Sequence, residues 1–295
     1  MKYIKFQDKK GTFTIQSPEN YSGLYFPLAG DGGLKSSITP NLGGDSKTDQ
    51  NHFLLEPVSI ENLHNNRSTR NFWCRIEGKG CWSATGISAE QELQKFTEAQ
   101  DKSILEAGFM WQKVTRTSAK YGLQSEITSF VAVDGAAEIE LVRIKNISEE
   151  VTKITPIAAI PLYGRSADNI RDHRHVTSLL HRINTTEYGV EVTPVLSFDE
   201  RGHQKNHTTY FVYGYSEKGD APEAFYPTVQ EFIGEGGTYL NPEAVRKNKP
   251  GRMAGSRVEG KEAMGGIRFA DVELKPQETA GFIILAGLTV LPKLS

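Results

Sequence analysis

The amino-acid sequence predicts an all-β fold, a large antiparallel β-sandwich with few short helices. Three observations carry that expectation. Apolar and polar residues alternate with period two through one segment after another. The segments are separated by turns rich in Gly, Asp, Asn and Pro. Helical periodicity is nearly missing. A strand that buries one face must alternate, and many such strands joined by tight turns stack as antiparallel layers.

Taken in order, residues 121–133 (YGLQSEITSFVAV) alternate and residues 136–147 (AAEIELVRIKNI) alternate again. Residues 151–163 (VTKITPIAAIPLY) continue after a polar Ser-Glu-Glu turn. Four more strands are expected at 189–198, 208–216, 266–276 and 279–288. Helix is expected only at 88–104, which reads equally well as an extended polar segment, and at 240–248, where Pro242 suits a first helical turn. No internal repeat or low-complexity linker divides the chain, so one domain over residues 1–295 is expected. The end, GFIILAGLTVLPKLS, reads as a cut just after a final strand.

Charge narrows the function. The chain has 34 basic and 36 acidic residues and a net charge of −2, leaving no positive excess to hold a nucleic-acid backbone. Its N-terminus lacks the apolar run of a signal peptide, and no stretch is long enough to span a bilayer, so a soluble cytoplasmic protein without membrane partners is expected. The two cysteines, Cys74 and Cys81, flank a Gly-Lys-Gly turn and are expected to be reduced packed thiols.

Four polar stretches between strands are candidates for chemistry, since loops on a rigid scaffold carry most sites. Residues 25–57 have seven glycines and prolines in their first twenty positions and read as an ordered surface loop beside the sheet. Their GDGG lacks the spacing of a phosphate-binding loop. Residues 61–86 lead amide and guanidinium groups into Phe72, Trp73 and Trp82. Such rings either stack on a neutral sugar or pack in the core of paired strands. Residues 165–183 (RSADNIRDHRHVTSLLHRI) hold four arginines and three histidines. His173, His175 and His181 are poor metal ligands because Arg171, Arg174 and Arg182 crowd them. An arginine fork instead grips a carboxylate, a phosphate or vicinal hydroxyls. In the fourth stretch Asp199 and Glu200 are adjacent, so on a strand they face opposite ways and cannot flank one glycosidic bond. Glu235, between glycine turns, is the better isolated acid.

The runs NFWCRIEGKGCWSATG, RDHRHV and FIGEGGTYLNPEAV resemble the N-terminal β-sandwich domain of the family 94 glycoside phosphorylases. YFPLAGDGGLKSSITPNLGGD and LHNNRSTRNFW most resemble the 1,2-β-oligoglucan phosphorylases of that family. The resemblance implies a galactose mutarotase-like super-sandwich whose catalytic acid and phosphate-binding groups lie in a downstream (α/α)6 barrel that this chain lacks. It implies no cofactor, with inorganic phosphate a substrate of the full enzyme. It also implies a homodimer and loops that lean over a β-linked gluco-oligosaccharide. It makes Arg171 and Arg174 the candidates for contact with the acceptor sugar. Together with the polar cluster and the isolated acid, the expected substrate-binding residues are Arg165, Arg171, Asp172, His173, Arg174 and Glu235. Inverting phosphorolysis needs one general acid and a phosphate held in line behind the anomeric carbon, and neither is complete here. Two rival readings remain. One is a mutarotase-like enzyme using His173, His175, His203 and Glu235; the other is a carbohydrate-binding or dimerisation module without catalysis.

Overall fold

Alternation along the expected strands becomes a continuous layer in the computed structural model, which describes residues 4–21, 23–59, 63–64, 66–167, 177–199 and 202–290. The largest sheet among these residues has eleven antiparallel strands. From one edge they run Ile4–Phe6, Phe13–Gln16, Lys102–Gly108, Trp111–Ser118, Leu123–Val131, Ala137–Asn146, Thr279–Val290, Thr208–Ser216, Gly189–Pro194, His181–Thr185 and Arg257–Glu259. Consecutive strands 102–146 pair as hairpins, whereas the C-terminal strand inserts at the centre, between 137–146 and 208–216. Every second residue points inward. Leu123, Ile127, Val142, Ile144, Val212 and Ile284 therefore share one core.

The opposing sheet orders Ala224–Thr228, Ala263–Arg268, Thr152–Pro161, Asn71–Ile76 and Gly80–Ser83, with Val272–Leu274 pairing the start of 152–161. The expected strand 266–276 is thus two pieces, broken where the Phe269 N–H turns to the Pro156 carbonyl. Strand 152–161 is buried on both faces, which explains why its alternation fades. Its inward residues Ile154, Ala158 and Ile160 join the main core. Ile157 and Ala159 point outward into a second cluster with Trp73, Tyr226, Phe232, Val245 and Met264.

Short helices cover that outer cluster. Val229–Ile233 is capped by the Thr228 hydroxyl, which accepts from the Glu231 N–H, and Glu243–Arg246 follows with Pro242 as its cap residue rather than inside its first turn. In the segment 88–104 only Ala89–Gln94 is helical. Ser88 and Gln91 form a reciprocal capping pair there. The chain then turns at Phe96, whose φ is +64°, and becomes strand from Lys102.

Residues 25–57 correct the surface-loop expectation. They form a four-stranded sheet, Phe26–Ala29, Lys35–Ile38, Ser46–Asp49 and His52–Phe53, with Leu28, Leu34, Ile38, Leu42, Leu54 and Leu55 in the core. Its polar residues are buried because they satisfy one another: the Ser36 hydroxyl donates to that of Ser46 at 2.8 Å. Gly44, at φ +114°, lets this segment close on itself, since a Cβ there would lie 1.9 Å from the Ser37 carbonyl oxygen. Arg70 staples the result to the large sheet. Its guanidinium donates to both Glu138 carboxylate oxygens at 2.6 and 2.9 Å and to the Gly44 carbonyl at 2.6 Å.

Cys74 and Cys81 are free thiols. In the paired strands Cys74 stands opposite Trp82 and Arg75 opposite Cys81, so the two sulfurs fall on opposite faces of the sheet. Among the described residues no helix is long and apolar enough to cross a membrane.

Candidate functional site

The turn Thr177–Leu180, which leads into strand His181–Thr185, organises the polar groups. It is pinned by main-chain hydrogen bonds: the Val195 N–H donates to the Leu180 carbonyl at 2.9 Å, and the Gly260 N–H to the His181 carbonyl at 3.0 Å. A different concavity opens on each side of it.

On one side Thr177 and Leu180 close a small polar pocket with Asn51, Arg165, His181, Asn206 and Tyr210. Arg165 is only 7% exposed. Its backbone carbonyl accepts from the Phe53 N–H at 2.9 Å, and its guanidinium lies 5.3 Å from the centre of the Tyr163 ring. His181 is fully buried at the start of its strand. Asn206 is held rigidly, since its side-chain amide donates to the carbonyls of Pro194 and Thr208 at 2.7 and 2.8 Å. A guanidinium, an imidazole, an amide and a phenol converge here around a space of about 10 Å³, enough for a single water and not for a sugar ring. Both amide donors of Asn206 are spent within the chain.

On the other side Ser178 and Leu179 form one wall of an open cleft of about 460 Å³. The opposite wall is the end of helix Val229–Ile233 and the glycine turn that carries Glu235, with Gly260, Lys261 and Glu262 at the base. Gly234 terminates that helix at φ +82°, and a Cβ on it would meet the Glu243 carboxylate at 2.4 Å, so a side chain there would push the Glu235 turn away. Glu235 itself is exposed.

The structure therefore brings Arg165 and Glu235 to opposite sides of a single turn. Arg171, Asp172, His173, Arg174 and His175 lie outside the described residues. The chain that contains them leaves from Ala167, whose N–H donates to the Gln50 carbonyl at 3.0 Å, and returns at Thr177. His203 is exposed on the ribbon formed by Leu196–Asp199 and Gly202–Lys205, and Glu200 lies outside the described residues. Asn51, Asn206 and Tyr210 are invisible to sequence reasoning, because nothing local distinguishes them from other turn and strand residues.

Of the two readings of the aromatic stretch, the structure bears out core packing on paired strands. Phe72, Trp73 and Trp82 are at most 2% exposed and belong to the two cores. The Trp82 indole N–H donates to Asp101 at 2.8 Å, so it is a packed and satisfied ring and not a stacking platform for sugar. Among the described residues no cluster of three His, Cys, Asp or Glu is arranged to hold a metal ion.

The family description "Glycosyl hydrolase 94, supersandwich domain" matches residues 30–290. No curated protein matches the chain in sequence. A bacterial glucoamylase complexed with acarbose superposes with a TM-score of 0.50 at 7% identity, over 90% of this chain and 33% of its own. A protein assigned as a kojibiose phosphorylase from the human microbiome gives a TM-score of 0.44 at 8% identity, over 98% of this chain and 33% of its own. A protein assigned as an aldose 1-epimerase from Escherichia coli K12 gives 0.44 at 10% identity, over 91% of this chain and 99% of its own. The chain spans about a third of the length of the glucoamylase it superposes on.

Proposed function

The chain belongs to the glycosyl hydrolase 94 supersandwich-domain family, and from that premise we propose that it is the N-terminal domain of an inverting β-glucan phosphorylase acting on 1,2-β-linked gluco-oligosaccharides. In this reading it is a single domain that positions the acceptor end of the sugar and contributes to a cytoplasmic homodimer. A helical barrel supplies the general acid and the phosphate pocket. No cofactor is needed, because phosphate itself is the second substrate. The observation that carries the reading is the family match over residues 30–290.

The site chemistry supports a binding role. The Arg165 pocket is polar with no carboxylate in its lining, but at about 10 Å³ it holds no sugar ring, so in this reading the sugar meets the open cleft and the loop beside it. The cleft beside it has Glu235 with Lys261 nearby. Inverting phosphorolysis requires a proton donor on the glycosidic oxygen and a phosphate opposite it. Arg171, Asp172, His173 and Arg174 connect to the same turn and are proposed as the acceptor-side loop. A mutarotase-like reaction would need a histidine acid and a glutamate base on one sugar. Of its candidates, His203 is exposed on the ribbon of Leu196–Asp199 and Gly202–Lys205 while Glu235 lines the cleft, and His173 and His175 lie outside the described residues.

The test has two parts. Titration with a 1,2-β-linked gluco-oligosaccharide should show saturable binding by the purified chain, weakened by Glu235→Gln, with no phosphate-dependent release of glucose 1-phosphate. In the enzyme with its barrel, Arg171→Ala or Arg174→Ala should weaken acceptor use by about 1–3 kcal/mol, the cost of leaving hydroxyl partners unpaired. Unaltered acceptor kinetics in both variants, or glucose 1-phosphate release by the chain alone, would refute the assignment. Anomer interconversion on free glucose would favour the mutarotase-like alternative.

A further inference from the structure

Several arginines of this protein are matched to a carboxylate: Arg70, Arg143, Arg182, Arg252 and Arg268 each reach an Asp or Glu oxygen. Among the described residues Arg75, Arg116, Arg246 and Arg257 form no such ion pair, and Arg116 is buried and donates to the Asn41 side chain at 3.4 Å. Arg75 and Arg246 open onto the same cleft, a cavity of about 490 Å³ on the outer face of the smaller sheet. It shares no lining residue with the pockets around Arg165 and Glu235.

Arg75 stands on strand Asn71–Ile76 directly across from Cys81, and Arg246 ends the helix Glu243–Arg246. The lysines beside Arg246 are already taken: Lys247 and Lys249 both donate to Glu243. Lys79 and Lys120 add to the cleft lining, where Glu90 is the single carboxylate. Glu90 is engaged by Lys120 at 2.6 Å and by the Tyr121 hydroxyl at 2.7 Å. Lys79 reaches Glu150 only at 3.9 Å with both side chains well exposed, a contact of little weight. Four cations against one committed carboxylate leave the cleft strongly positive in a chain whose net charge is −2. Cys81 does not account for the cations, because burial holds its thiol above the ordinary range despite the opposing pull of Arg75 and Arg246.

We propose that this cleft is an anion site that takes a phosphate group between Arg75 and Arg246, either free phosphate or the phosphate of a sugar phosphate. Two planar guanidinium forks match phosphate oxygens in geometry as well as charge. The volume suits a small ligand, and Ile76 and Leu240 give the walls an apolar component. A large polyanion is disfavoured, because the positive charge is confined to one cleft of an acidic chain.

Calorimetric titration of the purified chain with inorganic phosphate, glucose 1-phosphate and neutral glucose decides the matter. Both anions should bind saturably and glucose should not. Arg75→Gln and Arg246→Gln should each weaken binding at least tenfold, while Arg257→Gln, which removes an unpaired arginine elsewhere, should leave it unchanged. Thermal melts establish that each variant is folded, and exposed Arg246 supplies the decisive variant should Arg75→Gln fail to fold. Equal affinity for the two anions assigns the site to free phosphate, and tighter glucose 1-phosphate binding assigns it to the ester. Absence of anion binding, equally tight glucose, or an equal loss in Arg257→Gln would overturn the proposal. The readout involves no oligosaccharide and no phosphorolysis, so it succeeds or fails separately from the acceptor-loop assignment.

Discussion

Arg70 and Arg165 are both buried, yet they sit in different surroundings. Around Arg70 the chain supplies its own partners: the Glu138 carboxylate takes two donors and the Gly44 carbonyl a third. Its guanidinium is enclosed between the large sheet and residues 39–45 and does nothing but hold them together. Arg165 lies over the Tyr163 ring and lines a pocket whose walls come from several separate segments, the turn 177–180 among them. Arg70 closes its fork on acceptors of two layers and is a staple, whereas in the proposed reading Arg165 stands at the turn whose other face opens onto the Glu235 cleft.

The comparison breaks most visibly at the staple. Arg70→Met leaves Glu138 and Glu140 buried on the same face of one strand with no cation, a loss of about 3–5 kcal/mol for an orphaned buried charge. Urea unfolding measures it, and Arg70→Met combined with Glu138→Leu should recover much of the loss. A single variant as stable as the parent would show that the pair is not the lock between the two layers.

Arg165→Lys is expected to cost less, about 0.5–2 kcal/mol of stability from the lost guanidinium stack on Tyr163. Its larger consequence is a fall in oligosaccharide affinity. A variant that melts lower but binds sugar as before would make Arg165 another staple and dissolve the contrast.

The smallest effect is a pH dependence within the Arg70 region. Glu140 faces inward two residues from Glu138, and burial first and the Glu138 charge second push its carboxyl well above the usual range, with Arg70 opposing. Its folded-state value is raised, so its contribution to stability is fully present at acid pH. That contribution is lost as pH rises from the ordinary glutamate range toward the folded value. Glu140→Gln should flatten this decline. The gap between variant and parent should widen as pH rises above the ordinary glutamate range. Thermal melts from pH 5 to 9 would sink the idea if both proteins traced parallel curves.

Much of the fold is legible in the sequence because alternation is a direct imprint of half-burial. Residues 121–133, 136–147, 208–216 and 279–288 appear as strands Leu123–Val131, Ala137–Asn146, Thr208–Ser216 and Thr279–Val290. Residues 25–57 read as a loop and fold as a sheet because Ser36 and Ser46 are buried as a mutually bonded pair, and a polar letter carries no sign of its future partner. Helix Val229–Ile233 escapes sequence reading because five residues do not complete two turns of periodicity. In the candidate site, Arg165 and Glu235 can be named from composition. Asn51, His181, Asn206 and Tyr210 join the Arg165 pocket only through long-range pairing.

By itself the sequence determined the β class, the positions of several long strands, the lack of a surplus positive charge and the family, since these depend on local pattern, composition and motif. Only the tertiary structure decided which strand joins which sheet. Residues 137–146 and 152–161 are neighbours in the chain yet lie in opposing layers, and the C-terminal strand threads between 137–146 and 208–216. It also decided that Arg75 and Arg246 share a cleft and that Arg165 and Glu235 flank one turn. Period-two patterning specifies that a face is buried but not against what, and the partner of a buried face is chosen by packing and hydrogen-bond register across the whole chain.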